Sequence, residues 1–272
     1  MVTVLNGSAE TLAAQRSALA RQLTMEAELH HALVSHEFFL EYQPIFDRDA
    51  EHMVAIEALI RWRKPNGEVV RPDVFIPVAE QSRLIVQIGR WVVTQAGHDL
   101  AQLHRAGFTD LQVNVNMAAP EFVNASLPSE LMTVMAACGV APRHLCLELT
   151  EGLVMKQPDK VIPVMAALRQ QGFKISLDDF GMGHSSLSRM KKLPISSLKI
   201  DRSFVSGLPH DRGDAAIVRT ILDLGRHMQL QVIAEGVETD AQLIFLRQFG
   251  CSLIQGFLLS RPKTVAELMA LH

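Results

Sequence analysis

Single charged or amide side chains interrupt runs of the sequence that are otherwise apolar. Glu57 lies in VAIEALI, Glu148 in LCLELTE, Asp178 and Asp179 in KISLDDF, and Glu235 in QVIAEGV. Gln43, Arg61, Asn114, Lys199 and Gln255 stand within or beside similar runs. A buried carboxylate without a partner is costly. Five carboxylates converging with one lysine repel one another unless cations lie between them. Asp, Glu and Asn oxygens suit Mg2+ or Mn2+ better than zinc. The bland alternative pairs each carboxylate separately with a helix N-terminus or an outlying basic group, and it must then repeat strand after strand.

The adjacent pair Asp178–Asp179 is the most specific of these features. Neighbouring strand residues point to opposite faces. Both reach one site only if the chain turns out of the strand between them, and the glycines of Phe180-Gly181-Met182-Gly183 permit such a turn. A doublet there suits two divalent ions about 3.5–4 Å apart with one bridging carboxylate. The same alternation separates Glu148 from Glu151 and leaves Glu151 to hold a loop.

The elements that would position these groups alternate. Strands are expected over 38–46, 54–62, 111–117, 145–151, 174–180, 197–201, 231–237 and 253–257. Helices are expected over 91–106, 121–137, 159–171, 185–192, 215–227, 240–249 and 265–271. Eight strands alternating with helices predict an α/β fold, a TIM-like (β/α)8 barrel with reactive groups at the C-terminal strand ends. Only residues 47–53 separate the first two strands, too few for a parallel crossover, so one antiparallel strand is expected near the start. Residues 9–34 read as a leading helix that either packs on the body or transmits a signal. The expected division is a helical linker over 1–33 and a barrel over 34–272.

These residues resemble the signature of the EAL-domain cyclic di-GMP phosphodiesterases. Glu57-Ala58-Leu59-Ile60-Arg61-Trp62 matches the naming motif, with Tyr42-Gln43-Pro44-Ile45 before it and Phe75-Ile76-Pro77-Val78-Ala79-Glu80 after it. Glu148-Leu149-Thr150-Glu151, Asp178-Asp179-Phe180-Gly181, Lys199-Ile200-Asp201, Ala234-Glu235-Gly236-Val237-Glu238 and Gln255-Gly256-Phe257 follow in family order. No tripeptide is specific alone; the ordered set is, and it covers about residue 34 to the C-terminus.

The resemblance implies hydrolysis of cyclic di-GMP to linear pGpG with two Mg2+ or Mn2+ ions per site. It assigns Glu57, Asn114, Glu148 and Asp178 to one ion and Asp178, Asp179 and Glu235 to the other. Lys199 and Gln255 would position or polarise the attacking water, with Glu235 a proton acceptor. Gln43 and Arg61 would contact the dinucleotide, and Glu151 would tether the loop 180–186. A homodimer and an upstream sensory or GGDEF domain are further implications. Asn116 stands where the family often has serine and shares strand parity with Asn114, so either faces the barrel. Met182 and His184 depart from the usual loop residues, which bears on loop regulation. Asp201 either reaches the site or serves structure, and Glu238 is expected to cap the following helix. The competing reading is a catalytically silent receptor, though such receptors usually lose a carboxylate and none is lost here.

Composition narrows the rest. The chain has 272 residues, 48% hydrophobic and 20% charged, with net charge -3. That balance gives no broad attraction to DNA, RNA or anionic membrane. There is no apolar run long enough to span a bilayer. Three cysteines without motif spacing suit a reducing cytoplasm, although a parent protein anchored in a membrane is compatible with this.

Overall fold

The computed structural model describes residues 19–181 and 190–271. They divide into two compact units, one of residues up to 39 together with 60–88, the other of 40–59 together with residues from 89 onward.

The first unit contains helix α1, described over 19–34, and a small hairpin. The hairpin joins the end of strand β2 (Met53–Arg63) to the two-residue strand β3 (Val69–Val70), with Trp62 opposite Val70 and Arg63 opposite Val69. The sequence pattern does not announce β3, because two residues carry no periodicity. Trp62, Phe75 and Phe38 form an aromatic knot with ring centroids 5.8–6.1 Å apart. Phe75 lies on α2 (Pro72–Gln81), which starts on a proline that needs no backbone donor in the first turn.

The second unit is the barrel. Around it run β1 (Phe38–Asp47), β2, β4 (Gln112–Asn116), β5 (Leu145–Thr150), β6 (Lys174–Phe180), β7 (Ser197–Ile200), β8 (Gln231–Ala234) and β9 (Leu253–Ile254), closing back on β1. From β2 through β4 and on to β9 the barrel strands pair parallel, whereas β1 is antiparallel to β9, with Phe46 opposite Ile254. The expected antiparallel first strand is therefore present. Outward residues such as Leu147, Leu177, Leu198 and Ile200 are fully buried, as a strand covered on both faces requires. Ile45, Ala55, Ile233 and Leu253 form an apolar cluster in the barrel. Each lies two residues from a polar position: Gln43, Glu57, Glu235 and Gln255.

The surrounding helices differ from expectation in detail. Helix α3 (Ile85–Arg105) begins six residues earlier than the expected 91. Its first turns carry Ile85, Ile88, Val92, Val93 and Ala96, a helical stripe that is buried. The helix expected over 121–137 is two: α4 (Ala119–Phe122) and α5 (Leu127–Cys138). Asn124 breaks it by accepting a hydrogen bond from the Ser126 amide at 3.1 Å, and Pro128 restarts the helix. After β5 come α6 (Glu151–Lys156) and α7 (Pro158–Gln170). α8 (Arg202–Ser206) and α9 (Arg212–Met228) follow β7. α10 (Asp240–Gln248) and α11 (Val265–Met269) complete the chain. Most of the helix expected over 185–192 and most of the loop 180–186, with Met182 and His184, lie outside the described residues.

Candidate active site

Strand parity and closure bring the polar positions to one mouth. Glu57 (β2), Glu148 (β5), Asp178 (β6) and Glu235, one residue past β8, surround Lys199 of β7. The Lys199 ammonium lies 2.5 Å from Glu235 Oε1, 2.7 Å from Glu148 Oε2, 3.4 Å from Glu57 Oε2 and 3.9 Å from Asp178 Oδ2. Lys199 has no exposed surface.

Amides complete the network. Gln255, directly after β9, donates to Glu57 Oε2 at 2.7 Å and to Gln43 Oε1 at 3.3 Å. Gln43 donates to the Ser260 carbonyl at 3.3 Å. Asn114 donates to Glu148 Oε1 at 2.8 Å, and Asn116 donates to Glu57 Oε1 at 2.7 Å. Both asparagines therefore touch the cluster, and the two positions that parity left open are not alternatives. Asn114 is buried, whereas Asn116 is exposed at the strand end. Sequence reasoning left Asn116 out of the site; its shared parity with Asn114 was the signal that included it.

The aspartate doublet sits in a β-bulge. Leu177 pairs with Leu198 but Phe180 pairs with Ile200, so β6 carries one extra residue between them. The bulge is centred on Asp179, whose φ of 54° is left-handed, and the Asp179 amide donates to Asp178 Oδ1 at 2.9 Å. The chain therefore does not leave the strand between the two residues, as the glycines suggested; it kinks within β6. Asp is among the few residues that accept this conformation.

Glu151, the first residue of α6, is buried and accepts a hydrogen bond from the Gly181 amide at 3.3 Å. Arg61 belongs to the other unit, where its guanidinium donates to the Ile60 carbonyl at 3.0 Å. Asp201 caps α8 by accepting from the Ser203 amide at 2.9 Å. Glu238 does not cap α10: Thr239 does, with Gln242 completing a capping box, and Glu238 pairs instead with Arg202 at 2.8 Å. A hydroxyl one residue nearer the helix reaches its free amides where the glutamate does not.

Electrostatics describe a site short of positive charge. Burial raises the Glu148 carboxyl well above its ordinary range, Lys199 opposes this, and Glu57, Asp178 and Glu235 push it further up. Burial likewise lifts Glu235 to about 8 against the pull of Lys199, with Asp178 and Glu57 adding to the rise. Burial and then Asp178 raise Asp179. Burial would raise Glu57 too, but Lys199, Gln255 and Asn116 outweigh it and hold the group below its usual value. Lys199 is held well above the ordinary lysine range, because its four carboxylates overcome its burial.

Among the described residues no three His, Cys, Asp or Glu side chains are grouped for holding a metal ion. The donor chemistry nevertheless fits hard divalent cations. Five carboxylates against one ammonium leave four negative charges when all are ionised, the charge of two such ions, and the upward shifts of Glu148, Glu235 and Asp179 reflect that deficit. Gln255 Oε1 is a buried acceptor at this mouth with no donor.

Residues 26–262 match the family model described as the EAL domain. The chain belongs to the EAL domain family. It is 41% identical over 249 residues to the bifunctional diguanylate cyclase/cyclic di-GMP phosphodiesterase MucR of Pseudomonas aeruginosa, covering 92% of this chain and 36% of that protein. It is 42% identical over 248 residues to the cyclic di-GMP phosphodiesterase NbdA of the same organism, covering 91% of this chain and 32% of NbdA. This EAL chain thus spans about a third of the length of the curated relatives it matches. The solved structure of the PaMucR phosphodiesterase in its c-di-GMP complex superposes with a TM-score of 0.86 at 41% identity, over 90% of this chain and 99% of that one.

Proposed function

We propose that this EAL domain hydrolyses cyclic di-GMP to linear pGpG with two divalent cations, Mg2+ or Mn2+. The observation that carries the reading is the convergence of Glu57, Glu148, Asp178 and Glu235 on Lys199 in a barrel of this family. The names of MucR and NbdA, and the c-di-GMP bound in the PaMucR complex, point to the same substrate.

Glu57, Asn114, Glu148 and Asp178 would hold one ion and Asp178, Asp179 and Glu235 the other, with Asn116 a further amide oxygen at the same mouth. Such ions neutralise a phosphodiester and make a water acidic. Lys199 orients the attacking water and stabilises the charge that builds on the phosphate. Glu235 would accept the water's proton. Gln255 offers its free Oε1 to that water as an acceptor. Gln43 would contact the dinucleotide at this mouth. Glu151 anchors the loop that begins at Gly181.

The whole protein's partners belong to this proposal too: a homodimer, and an upstream sensory or GGDEF domain. Among the described residues no helix is long and apolar enough to cross a membrane. A cytoplasmic location is part of the same reading.

The test is incubation of the chain with cyclic di-GMP and Mg2+ or Mn2+, following pGpG by chromatography. Turnover that Glu57→Ala abolishes supports hydrolysis. Tight nucleotide binding without turnover in either metal, once dimer formation has been verified, would instead make the domain a silent receptor.

A further inference from the structure

A cleft of about 160 Å3 opens at the mouth, lined by Gln43, Glu57, Glu235, Glu238, Phe257 and Arg202 among others. Three of these are glutamates, and Arg202 is the one cation among the described lining residues. Lys199 is fully buried and already shared among four carboxylates, so it has little charge to offer a second anionic group.

The place of Arg202 is set by its stem. It follows β7 as the first residue of α8, and its methylenes cross Gly236, next to Glu235. A Cβ at Gly236 would stand 2.3 Å from Arg202 Cγ and 2.8 Å from its Cβ. Gly236 also has a φ of 67°, so both space and backbone require glycine there. The stem is thereby laid across the β8 loop, and its head reaches Glu238 at 2.8 Å. That pair is open to solvent, with side chains 62% and 42% exposed, and exposed ion pairs are weak.

From this geometry we infer that Arg202 is a substrate-binding residue, held at rest by Glu238 and released to a phosphodiester of the dinucleotide that enters the cleft. The inference rests on the cyclic di-GMP reading above and adds a residue to it. A cyclic dinucleotide carries two phosphodiesters, and only one sits at the cation cluster in any turnover. Where the other enters this cleft it meets three glutamates, and Arg202 is the guanidinium that lines it. A guanidinium matches phosphate with two parallel hydrogen bonds, which a single exposed carboxylate contact does not equal.

The experiment measures cyclic di-GMP binding by calorimetry in Ca2+ for the wild-type chain and for R202Q, R202K and E238Q, with thermal melting of each. R202Q should weaken binding about tenfold, R202K should recover part of it through its charge but not the paired hydrogen bonds, and E238Q should bind as tightly as wild type or up to threefold tighter. With Mg2+ or Mn2+, the R202Q loss should fall on KM, with kcat changing less than threefold. If Arg202 and Glu238 formed only a strut, R202Q and E238Q would weaken binding together and melt lower together, which would overturn the inference. R202Q binding within twofold of wild type would also overturn it. A wild-type chain that binds no cyclic di-GMP would sink the nucleotide reading and this inference with it.

Discussion

The Lys199 ammonium stands 2.5 Å from Glu235 Oε1, closer than to any of its other carboxylates, although the two residues are 36 positions apart in sequence. One cation thus ties β7 to the loop after β8 and neutralises part of a wall of buried acid.

Removing that cation has a predictable cost. K199M leaves the buried carboxylates without their partner, a loss of about 3–5 kcal/mol for a broken buried pair. Urea unfolding in EDTA should show this loss. Mn2+ should then restore more stability to K199M than it adds to wild type, while hydrolysis stays abolished.

The two asparagines of β4 should separate. N114A leaves the buried Glu148 Oε1 without its donor and should cost about 1–3 kcal/mol of stability. N116A removes an exposed amide and should cost under about 1 kcal/mol, while lowering turnover at least tenfold, because it frees Glu57 Oε1 at the mouth. Paired unfolding and rate measurements check both, and equal stability losses would refute the division.

Asp179 tests the bulge. Its φ of 54° costs an alanine about 1 kcal/mol that a glycine escapes. D179G should therefore be more stable than D179A by about that amount. Both lack the carboxylate, so both should lose hydrolysis to the same extent. Stability and activity would then be seen to separate at one residue.

Glu121 gives a pH dependence away from the cluster. Burial pushes its carboxyl up to about 7, against the lowering effect of the Ala118 amide that donates to it at 2.8 Å. Between about 4.5 and 7 the folded chain keeps a proton that the unfolded chain releases, so this residue makes stability fall as pH rises through that window and level off above it. E121Q keeps an acceptor for Ala118 without a charge. Its stability should match wild type near pH 4.5 and exceed it by about 2–3 kcal/mol at pH 8 in urea unfolding.

The strands, the antiparallel start and the polar positions were legible in the sequence because each is a local pattern. Alternation and apolar runs mark a strand, and a short link forbids a parallel crossover. Repeated polar interruptions place Gln43, Glu57, Glu148, Lys199, Glu235 and Gln255 on inward faces. The family motifs added order to that pattern. What the chain alone left open depends on neighbours that sequence distance conceals. The bulge at Asp178–Asp179 exists because β6 carries one residue more than β7 over the same span, a comparison that only pairing makes. Asn114 faces Glu148 and Asn116 faces Glu57 because β4 lies between β5 and β2. Thr239, not Glu238, caps α10 because its hydroxyl reaches the Gln242 amide, while Glu238 meets Arg202 of α8, 36 positions away in sequence. Side-chain types and their faces follow from local spacing, but which charge meets which is decided by closing the barrel, since that alone brings the ends of distant strands within a few ångströms.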